Sequence, residues 1–172
     1  MTEVAKLPKT SSDVTELPSA AQVQERLLQA PFHRWLNLKV ESLSKEKIVL
    51  RATGRTEWFN SDDHPVVHGG IIAALLDIAA DWALLGYGIT PSPTIDQTVN
   101  YLRPALDLEL TVVGRVIKPG RTISIAEASV FAGGKEVAIS RASYATVGNV
   151  PLGKPTANRQ PSRVQGGVMR RE

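Results

Sequence analysis

The stretch HPVVHGGIIAALLDIAADWALL, residues 64–85, constrains the fold more than any other part of the chain. After His64, His68 and the pair Gly69–Gly70, the chain runs apolar from Ile71 to Leu85, broken only by Asp77 and Asp81. Gly86 and Gly88 supply a helix stop. A helix that is apolar on every side has to be buried all round. A carboxylate in the middle of such a helix is costly to desolvate, so Asp77 needs a reason to be there.

The material that buries this helix is β structure. Before it, LNLKVESLSKEKIVLRATG reads as two strands joined by a charged turn, with alternation clearest in KIVLRA. After it come four apolar strands: PTIDQTVNYLRP, LELTVVGRVIKP, TISIAEASVFA and EVAISRASYATVG. The turns between these four, ALD, PGR and AGGK, are too short for a parallel crossover, which predicts antiparallel neighbours. Ser19 is placed to cap a short amphipathic helix, with Val23, Leu27 and Leu28 at helical spacing before Pro31. RTEWFNSDDHPVV reads as a loop into the long helix. The economical architecture is α+β: a curved antiparallel sheet wrapped around one long central helix, the hotdog arrangement.

Composition limits the class of function. The 172 residues suffice for one domain with a sizeable core, and 42% hydrophobic with 22% charged residues reads as soluble and globular. No apolar run reaches the roughly 18 residues of a membrane span without meeting a charge, so no membrane partner is expected. Cys is absent, which excludes disulfides, thiolate nucleophiles and Cys-based metal sites. His64 and His68 lack a convincing third ligand, so no metal and no separate cofactor are expected. Residues 1–18 read as a flexible lead; Glu3, Asp13 and Glu16 and the lack of an apolar signal core point to a cytoplasmic protein. The sequence pI near 9.3 comes from the end of the chain: residues 148–172 carry +4 and the rest −1. That segment is rich in Pro, Gly, Ser and Asn and reads as a disordered basic tail, so nucleic acid is not an expected partner. Residues 19–147 are the expected folded domain.

Gly69 and Gly70 sit where loop becomes helix. Backbone N–H groups there lack intrahelical acceptors, and the helix dipole favours negative charge at that end. Glycines let a ligand carbonyl approach closely, so the pair forms either a plain helix start or an oxyanion hole. Asp77 lies eight residues beyond Gly69, about 12 Å along the axis at 1.5 Å per residue. One carbonyl cannot touch both groups within one chain. If both act on one ligand they come from different chains, which predicts a dimer with two composite sites. Asp77 is then a nucleophile or a base that activates water, with its carboxyl raised by the apolar wall. The alternative is a structural carboxylate bonded in the core or paired across an interface. Asp81, one turn on, is expected nearer solvent or paired with a base such as Arg103.

HGG with an acid nine residues after the histidine, followed by TIDQTVNYLRPA and KPGRT, resembles the hotdog thioesterases of the phenylacetate-degradation type. The resemblance covers residues 32–147 and implies hydrolysis of coenzyme A thioesters at an in-trans site. It makes His68 a supporting site residue and places Thr94 where relatives carry Ser or Thr to orient the attacking water. Asp96 is expected on the same face as Thr94. Relatives often carry Asn or Gln six residues before the HGG histidine, where the amide donates to the thioester carbonyl. Here that position is Asp62, with Asn60 and Asp63 close by. An ionised carboxylate cannot donate, so Asp62 is protonated, Asn60 reaches in by a shifted loop, or the Gly69 N–H acts alone. The phosphates of coenzyme A need cations, for which Arg103, Lys118 and Arg121 are candidates. Trp58, Phe59, Trp82 and the helix aliphatics are expected to line an acyl pocket suited to an aromatic or medium-chain group.

Two other readings compete. A hotdog dehydratase resembles this chain in its HPVVHG loop but places its acid about five residues after the loop glycine, which here is Ala74. A non-catalytic hotdog that binds acyl-CoA and regulates is the alternative function, against which Asp77 argues. The expected assembly is a homodimer, with pairing of dimers into a tetramer left open.

Overall fold

The computed structural model describes residues 17–147. The expectations of a flexible lead and a disordered basic tail fall on residues 1–16 and 148–172, outside the described residues. The order of elements is α1 (Ala20–Leu27), α2 (Pro31–Trp35), β1 (Leu38–Leu43), β2 (Ile48–Thr53), α3 (Gly69–Trp82), β3 (Thr94–Tyr101), β4 (Glu109–Lys118), β5 (Ile123–Ala132) and β6 (Lys135–Ala145). Ser19 opens α1 with a capping box shared with Gln22, and Val23 and Leu27 are buried. The short helix α2 follows at once, with Pro31 at its first position.

The six strands form one sheet in the order β1-β2-β4-β5-β6-β3. All neighbouring pairs are antiparallel. The last three strands form the expected meander, but β3 does not join it through the ALD turn. It lies at the far edge, paired with β6, while β4 pairs with β2. The connecting segment 102–108 is pinned across the sheet end instead of turning back. Leu102 N–H donates to the Val137 carbonyl, and the buried Ala105 accepts from Val67 N–H.

The sheet curls around α3, whose Ile72, Leu75, Leu76, Ile78, Ala79, Ala80 and Trp82 are buried. The helical stretch Gly69–Tyr87 is long and apolar enough to span a bilayer, but most of it is buried within this chain. From Ala83 to Tyr87 the helix tightens to a 3-10 turn, and Gly88 ends it at φ 70°. Contact between layers is closest at Gly114 of β4, where a Cβ would lie 2.0 Å from the Ala79 carbonyl oxygen. Burial is not complete, contrary to the simplest expectation. Gly70, Ala73, Ala74, Asp77 and Asp81 form a lane along α3 that the sheet leaves partly uncovered. A single curved sheet covers one side of a helix; Asp77, bonded to Thr94 and Tyr144 of the edge strands, lies at the border of the covered side, and both acids are only partly buried.

Candidate active site

The loop before α3 is short of regular structure but well tied. Thr56–Trp58 forms a 3-10 turn, Phe59 bridges Val67, and His68 N–H donates to the Trp58 carbonyl. His68 then caps the helix: its Nδ1 accepts from Gly70 N–H at 2.9 Å. That bond requires an unprotonated Nδ1 and accounts for the histidine as a support of the helix start. It also uses one of the two glycine donors. The Gly69 N–H has no acceptor among the described residues, which leaves it available to a ligand oxygen. Tyr101 lies against this glycine, its hydroxyl donating to the Gly69 carbonyl at 2.8 Å.

A cleft of about 300 Å³ opens beside Gly69, walled by Asn60, Val66, Ile72, Tyr101, Arg103 and Val137 among others. Asn60 therefore stands at the cleft, and Asp62 is exposed and outside its lining. Of Asn60, Asp62 and Asp63, Asn60 is the one that lines this cleft. The loop folds back through Asn60 N–H on the Val66 carbonyl, which brings residue 60 toward the helix start.

At the other end of β3, Asp77 Oδ1 accepts from Thr94 Oγ1 at 2.9 Å and from the Tyr144 hydroxyl at 3.1 Å. The Tyr144 hydroxyl is also 3.0 Å from the Asp77 carbonyl oxygen. Thr94 and Tyr144 are Cα partners across the β3–β6 pair, so the two donors come from facing positions. Sequence reading missed Tyr144, because a tyrosine in a strand carries no signal of its partner. Burial pushes the Tyr144 phenol far above the usual tyrosine range, and the charges of Asp77 and Asp81 add to this. It stays protonated at any working pH and is a permanent donor.

The carboxyl that burial raises most plainly is Asp81, not one facing open solvent. Desolvation lifts it to about 7; Ser92 N–H, 2.8 Å from Oδ1, opposes the rise and nearby Asp77 adds to it. The expected partner is absent: the Arg103 guanidinium donates to the Glu136 carbonyl. Asp96 also departs from expectation. A register shift between Thr94 and Asp96 breaks the alternation. Asp96 then joins Thr98, Asn100, Glu127 and Arg141 around a shallow concavity on the outer face of the sheet. Trp82 is buried and packs edge-on against His33 at 5.9 Å, and Trp58 is fully buried beneath the loop; neither lines the Gly69 cleft. Phe59 borders a neighbouring hollow that also holds Arg103 and Lys135.

A single chain does not bring all the predicted site residues together. Gly69, His68, Asn60 and Arg103 are at the end of β3 marked by Tyr101. Asp77 and Thr94 are at its opposite end, where Thr94 faces Tyr144 and Ile123 faces Ala145. Lys118, which ends β4, and Arg121, in the turn that follows, belong to that second end. Among the described residues no group of three or more His, Cys, Asp or Glu is placed to hold a metal ion. The arrangement offers a donor able to meet an oxyanion and, separately, a fixed carboxylate able to attack or take a proton.

Residues 64–139 match a family model described as the thioesterase superfamily. The chain is 29% identical over 111 residues to the medium/long-chain acyl-CoA thioesterase YigI of Escherichia coli, covering 56% of this chain and 72% of that protein. It is 32% identical over 140 residues to a protein of Halobacterium salinarum provisionally named an esterase, covering 73% and 91% respectively. Among solved structures, an X-ray structure of a thioesterase-superfamily protein superposes with a TM-score of 0.68 at 34% identity, over 73% of this chain and 96% of that one. Zebra fish thioesterase superfamily member 2 matches in fold, with a TM-score of 0.64 at 23% identity, over 75% and 99%.

Proposed function

The chain belongs to the thioesterase superfamily and has its hotdog fold; on that premise we propose that it hydrolyses acyl-coenzyme A thioesters, in the manner of the phenylacetate-degradation type, at two sites composed across a homodimer. The observation that carries this reading is the separation of Gly69 and Asp77 to opposite ends of one edge strand. If two β3 edges pair antiparallel about a two-fold axis, Thr94 of one copy comes beside Tyr101 of the other. Asp77 of the first copy then approaches Gly69 of the second. The three cations gather by the same operation, Lys118 and Arg121 from one copy and Arg103 from the other, around the place where coenzyme A phosphates would enter.

Two further features support pairing at β3. The opposite edge, β1, is already occupied: the Gln24 amide donates to the Leu38 carbonyl and accepts from Val40 N–H. Among the described residues nothing covers β3 in this way, and it exposes Ile95 and Tyr101. The uncovered lane of α3 lies alongside. A second copy would shield both.

At such a site the thioester carbonyl oxygen accepts from Gly69 N–H, assisted by the Asn60 amide, and negative charge develops on it in the transition state. As a base, Asp77 takes a proton from water while the water oxygen bonds to the acyl carbon. The tetrahedral intermediate collapses with cleavage of carbon–sulfur, and the proton passes to the departing thiolate. As a nucleophile, Asp77 bonds to the acyl carbon, expels the thiolate and leaves an anhydride that water opens. The named activity of YigI makes medium and long acyl chains, together with aromatic ones, the first panel to test. Purified protein is expected to release free thiol from such esters, and Asp77→Ala to lower turnover about a hundredfold or more with its melting temperature retained. Undiminished turnover in that variant removes Asp77 from the mechanism.

A further inference from the structure

The hydrogen bonds around Asp77 are lopsided. Both donors, Thr94 and Tyr144, reach Oδ1, and no described residue donates to Oδ2. Tyr144 is fully buried, and burying a hydroxyl is costly unless it is bonded. A phenylalanine would fill the same space in the hydrophobic core without that cost. The hydroxyl also spans from the Asp77 main-chain carbonyl to its side chain, a contact that holds the carboxylate in one orientation.

We propose that Tyr144 is a positioning residue: with Thr94 directly across the β3–β6 pair, its hydroxyl locks Oδ1 of Asp77, so that Oδ2 is the oxygen presented to water or thioester. This rests on the reading of Asp77 as the reacting carboxylate. Thr94 then acts on the carboxylate rather than on the water. The phenol remains a donor throughout, since burial and the charges of Asp77 and Asp81 on α3 oppose its ionisation, with a smaller contribution from Asp96 on the outer face of β3.

The test uses the full chain and the acyl-CoA ester it turns over best. Tyr144→Phe is expected to lower kcat roughly tenfold or more with KM within about twofold, as for loss of a hydrogen bond to a charged group. The acid limb of the kcat profile should move up by about one pH unit, because the carboxylate has lost a donor. Replacing Tyr144 with 3-fluorotyrosine keeps the shape and strengthens the donor, and should move the same limb down by a few tenths of a unit. Both shifts should persist in an Asp81→Asn background, which assigns the limb to Asp77. Unchanged kcat, or a lower kcat with the limb unmoved in both substitutions, overturns the proposal and leaves Tyr144 a packing residue. If Tyr144→Phe fails to fold, the fluorotyrosine protein decides alone. Full activity in Asp77→Ala would instead sink the parent reading, a result these substitutions at 144 do not mimic.

Discussion

Asp77 and Asp81 are one turn apart on the same open lane, yet they are held differently. Asp77 receives two side-chain hydroxyls, whereas Asp81 receives one backbone N–H and is pushed up by desolvation. Raising an acid's folded pKa above its unfolded value means that the folded state binds the proton more tightly. The stability this contributes is complete below the ordinary value of 3.8 and is lost as pH rises toward about 7. Asp81→Asn keeps an acceptor for Ser92 N–H and removes the ionisation. It is expected to raise stability above pH 7 by about 2 kcal/mol, discounted for partial exposure, and to leave stability near pH 4 almost unchanged. Denaturant midpoints across that range check it; a variant equally offset at both ends would refute the assignment. Asp77 was legible in the sequence because a carboxylate in an apolar helix demands explanation. Its hydrogen-bond partners were less so. Thr94 came through family resemblance, and Tyr144 lies 67 residues away on a strand whose pairing the sequence does not announce. The expectation for Asp81 failed for a related reason: the Ser92 N–H that serves it lies in a loop whose path only the fold defines.

At the level of elements, periodicity found α1, α3 and all six strands, because burial on one face leaves a repeat that can be read directly. Turn length was less informative. A short turn excludes a parallel crossover but does not compel a hairpin, and the 102–108 segment instead carries the chain from the β3 edge past β6 and β5 to β4 in the middle of the sheet. The bulge after Thr94 was equally hidden, and it turns Asp96 outward while Thr94 faces the helix. Polar contacts then dock β3 on successive turns of α3. Thr94 reaches Asp77, Gln97 reaches the Ala73 carbonyl at 3.3 Å, and Tyr101 reaches the Gly69 carbonyl. Elsewhere the helix sits on the sheet by close approach, above all over Gly114. Gly114→Ala would drive a methyl into the Ala79 backbone, where no side chain can move aside. A loss of about 3 kcal/mol or more is expected. It should appear as a lowered denaturant midpoint with unchanged slope, and a loss below about 1 kcal/mol would show that helix and sheet part easily there.

For the whole molecule, the decisive asymmetry is between the two sheet edges. Gln24 closes β1, while β3, whose two ends hold Asp77 and Gly69 of α3, is bare along its outer side among the described residues. A composite site makes a prediction that no single-chain site shares. Gly69 occupies the first helical position, after His68 at φ −58° and ψ 134°, an extended conformation that a following proline accepts. Gly69→Pro therefore removes an N–H that has no acceptor among the described residues, without breaking α3. Its added carbon meets the Tyr101 ring at 3.2 Å, a contact that this exposed side chain can relieve. Asp77→Ala and Gly69→Pro homodimers each spoil both sites, so each should be nearly inactive. A mixed dimer keeps one site whole, built from Asp77 of one copy and Gly69 of the other, and loses the second entirely. Random reassociation of equal amounts makes about half the dimers mixed, so about a quarter of wild-type activity should return. Two affinity tags allow the mixed species to be isolated, and it should then show about half the wild-type rate. Silence from isolated mixed dimers would mean that Asp77 and Gly69 serve the same chain, a span of helix too long for one carbonyl to bridge.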